Sequence, residues 1–228
     1  MILAVVGLLR EARIVAGSGV RVVVGGGDTA ALAQRLELAS LNDVEAVVSF
    51  GLCGALGPAL KPGDVVAATT VCDGAARFQA DSAWTRSITA RLRDAHGGSI
   101  AGSDVMLTTP PAKAALHGSS GAIAVDMESH VAARFAARHN LPLAVIRAVS
   151  DGADHALPAA AQRGMRPDGS MDIGAVLAEL LKDPRQLPAL IRTGLEAEKG
   201  FRALLRSHHL LGPTWLLGEL GHHPLDVT

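Results

Sequence analysis

Four acidic side chains follow apolar runs of strand length, and their positions point most directly to chemistry. Asp126 and Glu128 follow one such run, Asp151 follows another, and Glu11 comes shortly after the first. Ligands of open α/β sheets bind beyond the carboxyl ends of the strands, so these carboxylates are candidates to bind a substrate. The alternatives stay open: helix capping for the 126/128 pair, a turn or cap for Asp151, and a solvated helix start for Glu11.

Glycine-rich loops follow two of the apolar runs. Residues 25–28, Gly-Gly-Gly-Asp, lack the G-x-G-x-x-G spacing of a dinucleotide site and follow the second run rather than the first. They indicate close approach of backbone amides to a small anion or a sugar.

The loop 51–57 contains Cys53, which we interpret as a packing residue because no histidine lies near it in sequence. The His-His pairs at 208–209 and 222–223 lack zinc-site spacing, so no metal is expected.

Apolar runs alternating with helical patterns indicate an α/β fold. The runs are mostly continuous and rich in valine, which is typical of strands buried on both faces. Strands are predicted at 2–6, 20–24, 46–50, 65–71, 123–125 and 143–149. Helices are predicted at 29–40, 82–94, 111–117 and 128–140. This alternation favours a three-layer sandwich with a central, mainly parallel or mixed sheet.

The pattern changes after residue 151. Residues 158–170 resemble a loop, and residues 171–211 predict two helices broken near Asp183-Pro184. The last segment, 212–228, has no clear periodicity. We therefore predict a single domain over 1–211, with a helical C-terminal part, followed by a tail over 212–228.

Composition excludes several classes of protein. The 228 residues carry a formal net charge of -1, with 3% aromatic residues and no tyrosine, which argues against nucleic-acid binding. Two cysteines indicate reduced thiols in the cytoplasm rather than a disulfide framework. The N-terminus lacks the basic segment of a signal peptide, and the longest uncharged stretch is too short to span a bilayer. A cytoplasmic, soluble protein is expected.

Four segments together resemble the superfamily of purine nucleoside phosphorylases and methylthioadenosine/S-adenosylhomocysteine nucleosidases. They are GLLREA (7–12), VGGGDTAA (24–31), VVSFGLCGALGPALKPGDVV (47–66) and AVDMESHVAARFAARHNLPLAVIRAVSDGAD (124–154). The resemblance implies the nucleoside phosphorylase fold, a homo-oligomer, a small-molecule nucleoside as substrate, and no cofactor. Phosphate remains possible as a co-substrate.

Within that superfamily, the chain resembles the hopanoid-associated phosphorylases. The resemblance rests on VDMESHVAARFAARHNLP and on a helical end with RPDGSMD and DPRQLPALIR. It implies removal of adenine from adenosylhopane, a lipid-linked nucleoside. Leucines at helical spacing among basic residues of 185–206 fit either a helix packed on the sheet or a surface for a lipid tail. A peripheral contact with the inner membrane is the corresponding alternative for localisation.

The resemblance also implies roles for individual residues. Asp151 matches the acid that assists the leaving purine at N7, and Glu128 matches the carboxylate that accepts hydrogen bonds from the ribose hydroxyls. Met127 matches the apolar contact beneath the sugar. The positions matching the base-binding segments are Met106, Leu107 and Ser150.

The identity of the nucleophile stays open. A gap-free alignment puts Ala12 where nucleosidases carry the water-activating glutamate, with Glu11 one residue earlier. Phosphorylases commonly have an arginine and a hydroxyl residue where this chain has Phe50 and Leu52. An anion site formed by the nucleophile loop and the glycine loop is the remaining option; its members are Gly7, Arg10, Gly26 and Gly27.

Three functional hypotheses result. The first is an enzyme that releases adenine from a 5′-modified adenosine, with adenosylhopane favoured. The second is a soluble nucleosidase of the methylthioadenosine/S-adenosylhomocysteine type. The third is a nucleoside-binding module without catalysis, suggested by Ala12 and Leu52.

Overall fold

The computed structural model describes residues 1–164, 166, 168–170, 172–215 and 217. Eight strands form the sheet: β1 (Ile2–Val6), β2 (Val20–Val24), β3 (Ala46–Ala55), β4 (Val65–Asp73), β5 (Ala76–Gln79), β6 (His96–Gly102), β7 (Ala124–Asp126) and β8 (Leu143–Asp151). The six strands predicted from sequence are all present. The structure adds β5, which is largely exposed, and β6, whose glycines obscure the strand pattern.

Helices occupy most of the connections. They are α1 (Leu9–Val15), α2 (Thr29–Leu38), α3 (Ser82–Arg91), α4 (Pro110–Ser120), α5 (Ser129–Arg138), α6 (Ala159–Arg163), α7 (Ile173–Lys182) and α8 (Leu187–Leu211). The predicted helices are confirmed with ends shifted by a few residues. The break predicted near Asp183-Pro184 is a 3-10 turn at Pro184–Gln186, because proline cannot continue a helix.

The sheet is mixed and partly closed. Its strand order is β2-β1-β3-β7-β6-β4-β5, and β8 pairs with both β3 and β4. Strands β1, β3 and β8 are mutually parallel, whereas β7 runs antiparallel to β3 and β8 antiparallel to β4. The carboxyl ends of β1, β3 and β8 consequently meet at one edge, where the candidate acids lie.

Helices cover both faces of the sheet, which confirms the predicted three-layer arrangement. One buried cluster joins the sheet to α2 and α5. A second joins the other face to α1, α3 and α8, with Trp84, Phe201 and Leu204 in contact with the strands. The strands are thus packed on both faces, and the candidate acids lie at or shortly after strand ends at the edge of this core.

The C-terminal part belongs partly to this core. Trp215 is fully buried, and its carbonyl accepts a hydrogen bond from the indole of Trp84 at 2.6 Å. The predicted tail 212–228 otherwise lies outside the described residues, apart from 212–214 and 217. None of the helices in the described part of the chain combines the length and apolarity needed to cross a bilayer.

Candidate active site

A pocket opens at the carboxyl edge of the sheet, and four acidic residues line it. They are Glu11, Asp126, Glu128 and Asp151. Each is at most 7% exposed. Apart from histidines, the described residues include only two other buried ionisable side chains with a formal charge, Arg147 and Lys113, and both pair with these acids. The charged groups removed from water are thus concentrated at one site.

Glu11 sits in a cradle of backbone amides. Its Oε2 accepts hydrogen bonds from Gly7 N at 2.7 Å and Leu8 N at 2.8 Å, and its Oε1 accepts one from Leu52 N at 2.8 Å. Glu11 lies in the first turn of α1, so its side chain reaches back over the helix start. Burial raises the pKa of Glu11, although Arg147 and these amides oppose the rise. A carboxylate with a raised pKa is a stronger proton acceptor than an ordinary glutamate, which suits the role of a general base.

Glu11 rather than Ala12 lines the pocket. Ala12 is turned away and packs against the cluster beneath α1. Of the two positions that the alignment left open, Glu11 is therefore the one that faces the pocket.

Glu128 faces the same pocket and pairs with a fully buried guanidinium. Arg147 Nη1 lies 3.1 Å from Glu128 Oε2. Burial raises the pKa of Glu128 to about 7; the charge of Arg147 opposes this rise, whereas Asp126 and Glu11 add to it. Its side chain makes no capping hydrogen bond to α5, so helix capping does not account for Glu128.

Asp126 holds the start of α5 and the Arg147 guanidinium in place. It accepts hydrogen bonds from the backbone and hydroxyl of Ser129 at the start of α5, the hydroxyl contact being 2.5 Å. It also pairs with Arg147 Nη2 at 2.6 Å. The capping interpretation of the 126/128 pair therefore applies to Asp126, which also helps to fix the guanidinium beside Glu128.

Asp151 also lines the pocket, at the end of β8. Its Oδ1 accepts a hydrogen bond from Ser150 Oγ at 2.6 Å, and its Oδ2 lies 2.5 Å from Lys113 Nζ. Contacts on both oxygens thus fix the carboxylate. Ser150 Oγ also lies 3.1 Å from Cys53 O, so its single hydrogen is shared between Cys53 O and Asp151 Oδ1. Asp151 is neither a helix cap nor a solvated turn residue.

Glycines make room for these acids. A Cβ on Gly7 would lie 2.8 Å from Glu128 Oε1, and one on Gly51 would lie 2.7 Å from Glu11 Oε2. A Cβ on Gly54 would lie 3.2 Å from Asp151 Oδ2. The glycines after β1 and within β3 are thus explained by close approach of carboxylates.

Apolar side chains form the remaining walls of the pocket. Met127, Met106 and Leu107 all line it, together with Val105. The loop that carries Met106 is held by a contact of Asp104 with His130 at the start of α5, 3.0 Å. This combination of apolar walls and a few fixed polar groups is typical of a small-molecule site.

Two predicted groups lie elsewhere. Arg10 pairs with Glu198 on α8 at 2.7 Å and stacks on Phe201, so it does not line the pocket. Gly26 and Gly27 turn the chain after β2 and do not line it either. Of the proposed anion site, only Gly7 lies at the pocket, and its amide is occupied by Glu11.

Cys53 also lines the pocket. Burial raises its pKa well above the ordinary value, which favours the protonated form and disfavours nucleophilic attack. Within the described residues, no cluster of three His, Cys, Asp or Glu side chains could hold a metal ion.

Sequence reasoning missed both buried cations. Arg147 interrupts an apolar strand, and a charge in a strand buried on both faces requires a partner, so that signal was available. Lys113 gave no such signal, because a lysine in a short helix is usually solvated.

Comparison with known families decides which proteins this chain is related to. Residues 3–182 match the phosphorylase superfamily. The chain belongs to this superfamily. That membership confirms the fold and the class of enzyme predicted from the sequence. Comparison with curated proteins gives no match.

Solved structures with the phosphorylase-superfamily fold resemble the chain over most of its length. A methylthioadenosine/S-adenosylhomocysteine nucleosidase from Streptococcus pneumoniae is 21% identical, with a TM-score of 0.60, covering 90% of this chain and 100% of the other. A putative methylthioadenosine nucleosidase from Weissella paramesenteroides is also 21% identical, with a TM-score of 0.58 and coverages of 87% and 98%. Futalosine hydrolase from Helicobacter pylori is 14% identical, with a TM-score of 0.67 and coverages of 92% and 96%. At these identities the likeness establishes the fold of this superfamily member.

Proposed function

We propose that the chain hydrolyses the N-glycosidic bond of a 5′-substituted adenosine and releases adenine. The observation that carries the proposal is the Glu11 carboxylate, held by three amides in the same pocket as Glu128 and Asp151. Membership of the phosphorylase superfamily and the likeness to proteins named as nucleosidases support the same reaction class.

In the proposed reaction, each acid has a separate task. Glu128 accepts hydrogen bonds from the ribose hydroxyls and holds the sugar. As the bond from C1′ to N9 breaks, its electrons move to the purine, which gains a proton at N7 on the side of Asp151. Glu11 takes a proton from the water molecule whose oxygen bonds to C1′. The products are adenine and the 5′-substituted ribose.

Water is the proposed acceptor because the groups that would bind phosphate are already engaged. The amides of Gly7, Leu8 and Leu52 are donated to Glu11, and a second anion there would be repelled by that carboxylate. Phe50 is fully buried against Trp215, 5.0 Å between ring centroids, and offers no polar contact.

Adenosylhopane is the substrate we propose to test first. It is supported by the sequence resemblance to hopanoid-associated phosphorylases and by exposed apolar side chains on α7 and α8. The exposed set on these two helices is Ile173, Leu177, Leu181, Leu187, Ile191, Leu195, Leu205 and Leu210. A lipid-linked substrate requires an apolar surface of this kind. A soluble methylthioadenosine or S-adenosylhomocysteine nucleosidase is the alternative.

The test measures adenine release from three substrates: 5′-methylthioadenosine, S-adenosylhomocysteine, and adenosylhopane dissolved in detergent. Each is incubated with and without phosphate, in water enriched in ¹⁸O. We expect phosphate-independent release of adenine and ¹⁸O at C1′ of the sugar. Release that requires phosphate and yields a ribosyl phosphate would refute water as the acceptor. Binding without turnover across the panel would identify a nucleoside-binding module instead.

A further inference from the structure

Lys113 is a buried cation to which the proposed reaction, as described above, assigns no role. It is the buried residue of α4 and is 0% exposed. Its Nζ lies 2.5 Å from Asp151 Oδ2, 2.7 Å from Gly152 O and 2.9 Å from His155 O. An ammonium group has three N–H donors, and here each has one acceptor, so the site fits the charged form of lysine.

The ion pair creates a chemical problem for the departing base. A carboxylate held by an ammonium carries no proton of its own, yet the purine must gain one to leave as neutral adenine. Asp151 is only 5% exposed, so bulk water has little access to it. Two groups in contact with Asp151 carry a hydrogen, the Ser150 hydroxyl and the Lys113 ammonium, and the ammonium is by far the stronger acid.

We propose that Lys113 is a positioning residue that acts through Asp151 and is the source of the proton given to the departing base. The proposal rests on the proposed N-glycosidic cleavage. A proton moves from Lys113 Nζ to Asp151 Oδ2, giving a neutral amine and a neutral acid. The acid then passes its proton to N7 as the electrons of the C1′–N9 bond move to the purine. Release of adenine opens the pocket, and the amine regains a proton from solvent.

The surroundings of Lys113 support this role over packing alone. His155, whose carbonyl holds Nζ, is itself fixed by Glu196 on α8 at 2.6 Å. The other carbonyl belongs to Gly152, directly after Asp151. The lysine is therefore held by three acceptors, with its charge against Asp151, the carboxylate next to the purine in the proposed reaction.

The experiment is a double-mutant cycle on adenine release, using wild type, Lys113→Met, Asp151→Asn and the double variant. We expect Lys113→Met to lower kcat by about 10²-fold or more, with a far smaller change in KM. In the Asp151→Asn background the same substitution should change kcat by less than about threefold, because the partner through which it acts is gone. Equal losses in both backgrounds, or an active Lys113→Met, would overturn the proposal.

Two further variants complete the cycle. Lys113→Gln retains a hydrogen-bond donor but has no transferable proton, so its kcat should also be low; activity near wild type would overturn the proton role. It also guards against the misfolding of Lys113→Met, which leaves the charge of Asp151 unbalanced. Lys61→Met, at an exposed lysine, is the matched control and should behave as wild type.

A binding measurement separates this inference from the proposed function. If wild type releases no adenine from any substrate of the panel, the proposed function fails. The Lys113 inference is then judged by the affinity for adenine relative to 7-deazaadenine, which lacks the N7 acceptor. We expect wild type to prefer adenine by about tenfold or more, and Lys113→Gln to lose that preference. Equal affinity of wild type for the two bases would overturn the inference.

Discussion

Replacing Glu11 by alanine tests the central element of the site, the carboxylate held by three amides. The substitution leaves the N–H groups of Gly7, Leu8 and Leu52 without their acceptor. A buried donor that loses its partner costs about 1–3 kcal/mol, and water entering from the pocket favours the low end of this range. Three such donors give an expected loss of about 3 kcal/mol in the free energy of unfolding.

The same substitution removes the proposed base for water. Loss of a general base lowers kcat by about 10²–10⁴-fold, and adenine release should fall by that factor. Formate is a carboxylate small enough to enter the vacated cradle, so it should restore part of both properties. At ten times its Kd, formate should return about 1.4 kcal/mol of stability. The rate of adenine release should rise with formate along the same saturation curve.

The assay combines urea unfolding with adenine release, each measured against formate concentration. Glu45→Ala is the matched control, because that carboxylate is exposed and pairs with the N-terminal amine. It should show wild-type activity and no response to formate. Turnover by Glu11→Ala within threefold of wild type would refute the role of Glu11. Formate that changed neither stability nor rate would show that the three amides do not form an anion cradle.

Three other outcomes follow from the geometry. The pKa of Glu128 is raised from 4.5 to about 7, so the native state binds this proton more tightly than the unfolded chain. The contribution of this proton to the free energy of unfolding is at most about 3 kcal/mol; it is present below pH 4.5 and is lost as the pH rises to about 7. In urea unfolding measured across that pH range, Glu128→Gln should remove this part of the pH dependence of stability. Gly7→Ala puts a Cβ 2.8 Å from Glu128 Oε1 and should lower both the stability and the nucleoside affinity, each measured by calorimetry. Gly118→Ala is the control, because its Cβ would meet nothing within 4 Å, and it should lower neither. Arg10→Ala removes the partly exposed pair with Glu198 and the stacking on Phe201, so it should lower the unfolding free energy by no more than about 2 kcal/mol and leave kcat unchanged.

Much of the fold could be predicted because its strands are continuous apolar runs. The run that ends at Asp151 and the run that ends at Asp126 both gave the strand and the position of its carboxyl end. Strand β6 escaped prediction, because Gly97 and Gly98 remove the side chains on which the pattern depends. The pairing of β8 with both β3 and β4 is a long-range property that no local pattern contains.

The acids of the site could be predicted, but their partners could not. Glu11 follows β1 and Asp151 ends β8; both strands run parallel to β3, and parallel strands bring their carboxyl ends to one edge. Glu128 follows β7, which runs antiparallel to β3, so its place in the pocket depends on a strand pairing that the local sequence does not specify. The orientation of Arg10 toward Glu198 depends on where α8 returns to the sheet, which the sequence near residue 10 does not specify. The pairing of Lys113 with Asp151 likewise joins residues 38 positions apart.

The balance of buried charge links the pKa values to the proposed chemistry. Glu11, Asp126, Glu128 and Asp151 are offset only by Arg147 and Lys113 among the buried Asp, Glu, Lys and Arg side chains of the described residues. Full ionisation would leave an excess of negative charge in a site of low dielectric constant, and the charges of Asp126 and Glu11 add to the effect of burial in raising the pKa of Glu128. In the proposed reaction the ribose becomes positively charged as the base departs, and it does so beside Glu11 and Glu128. The positive charge of the transition state is therefore stabilised by these carboxylates more strongly than the neutral substrate is, which is the condition for such a site to accelerate the reaction.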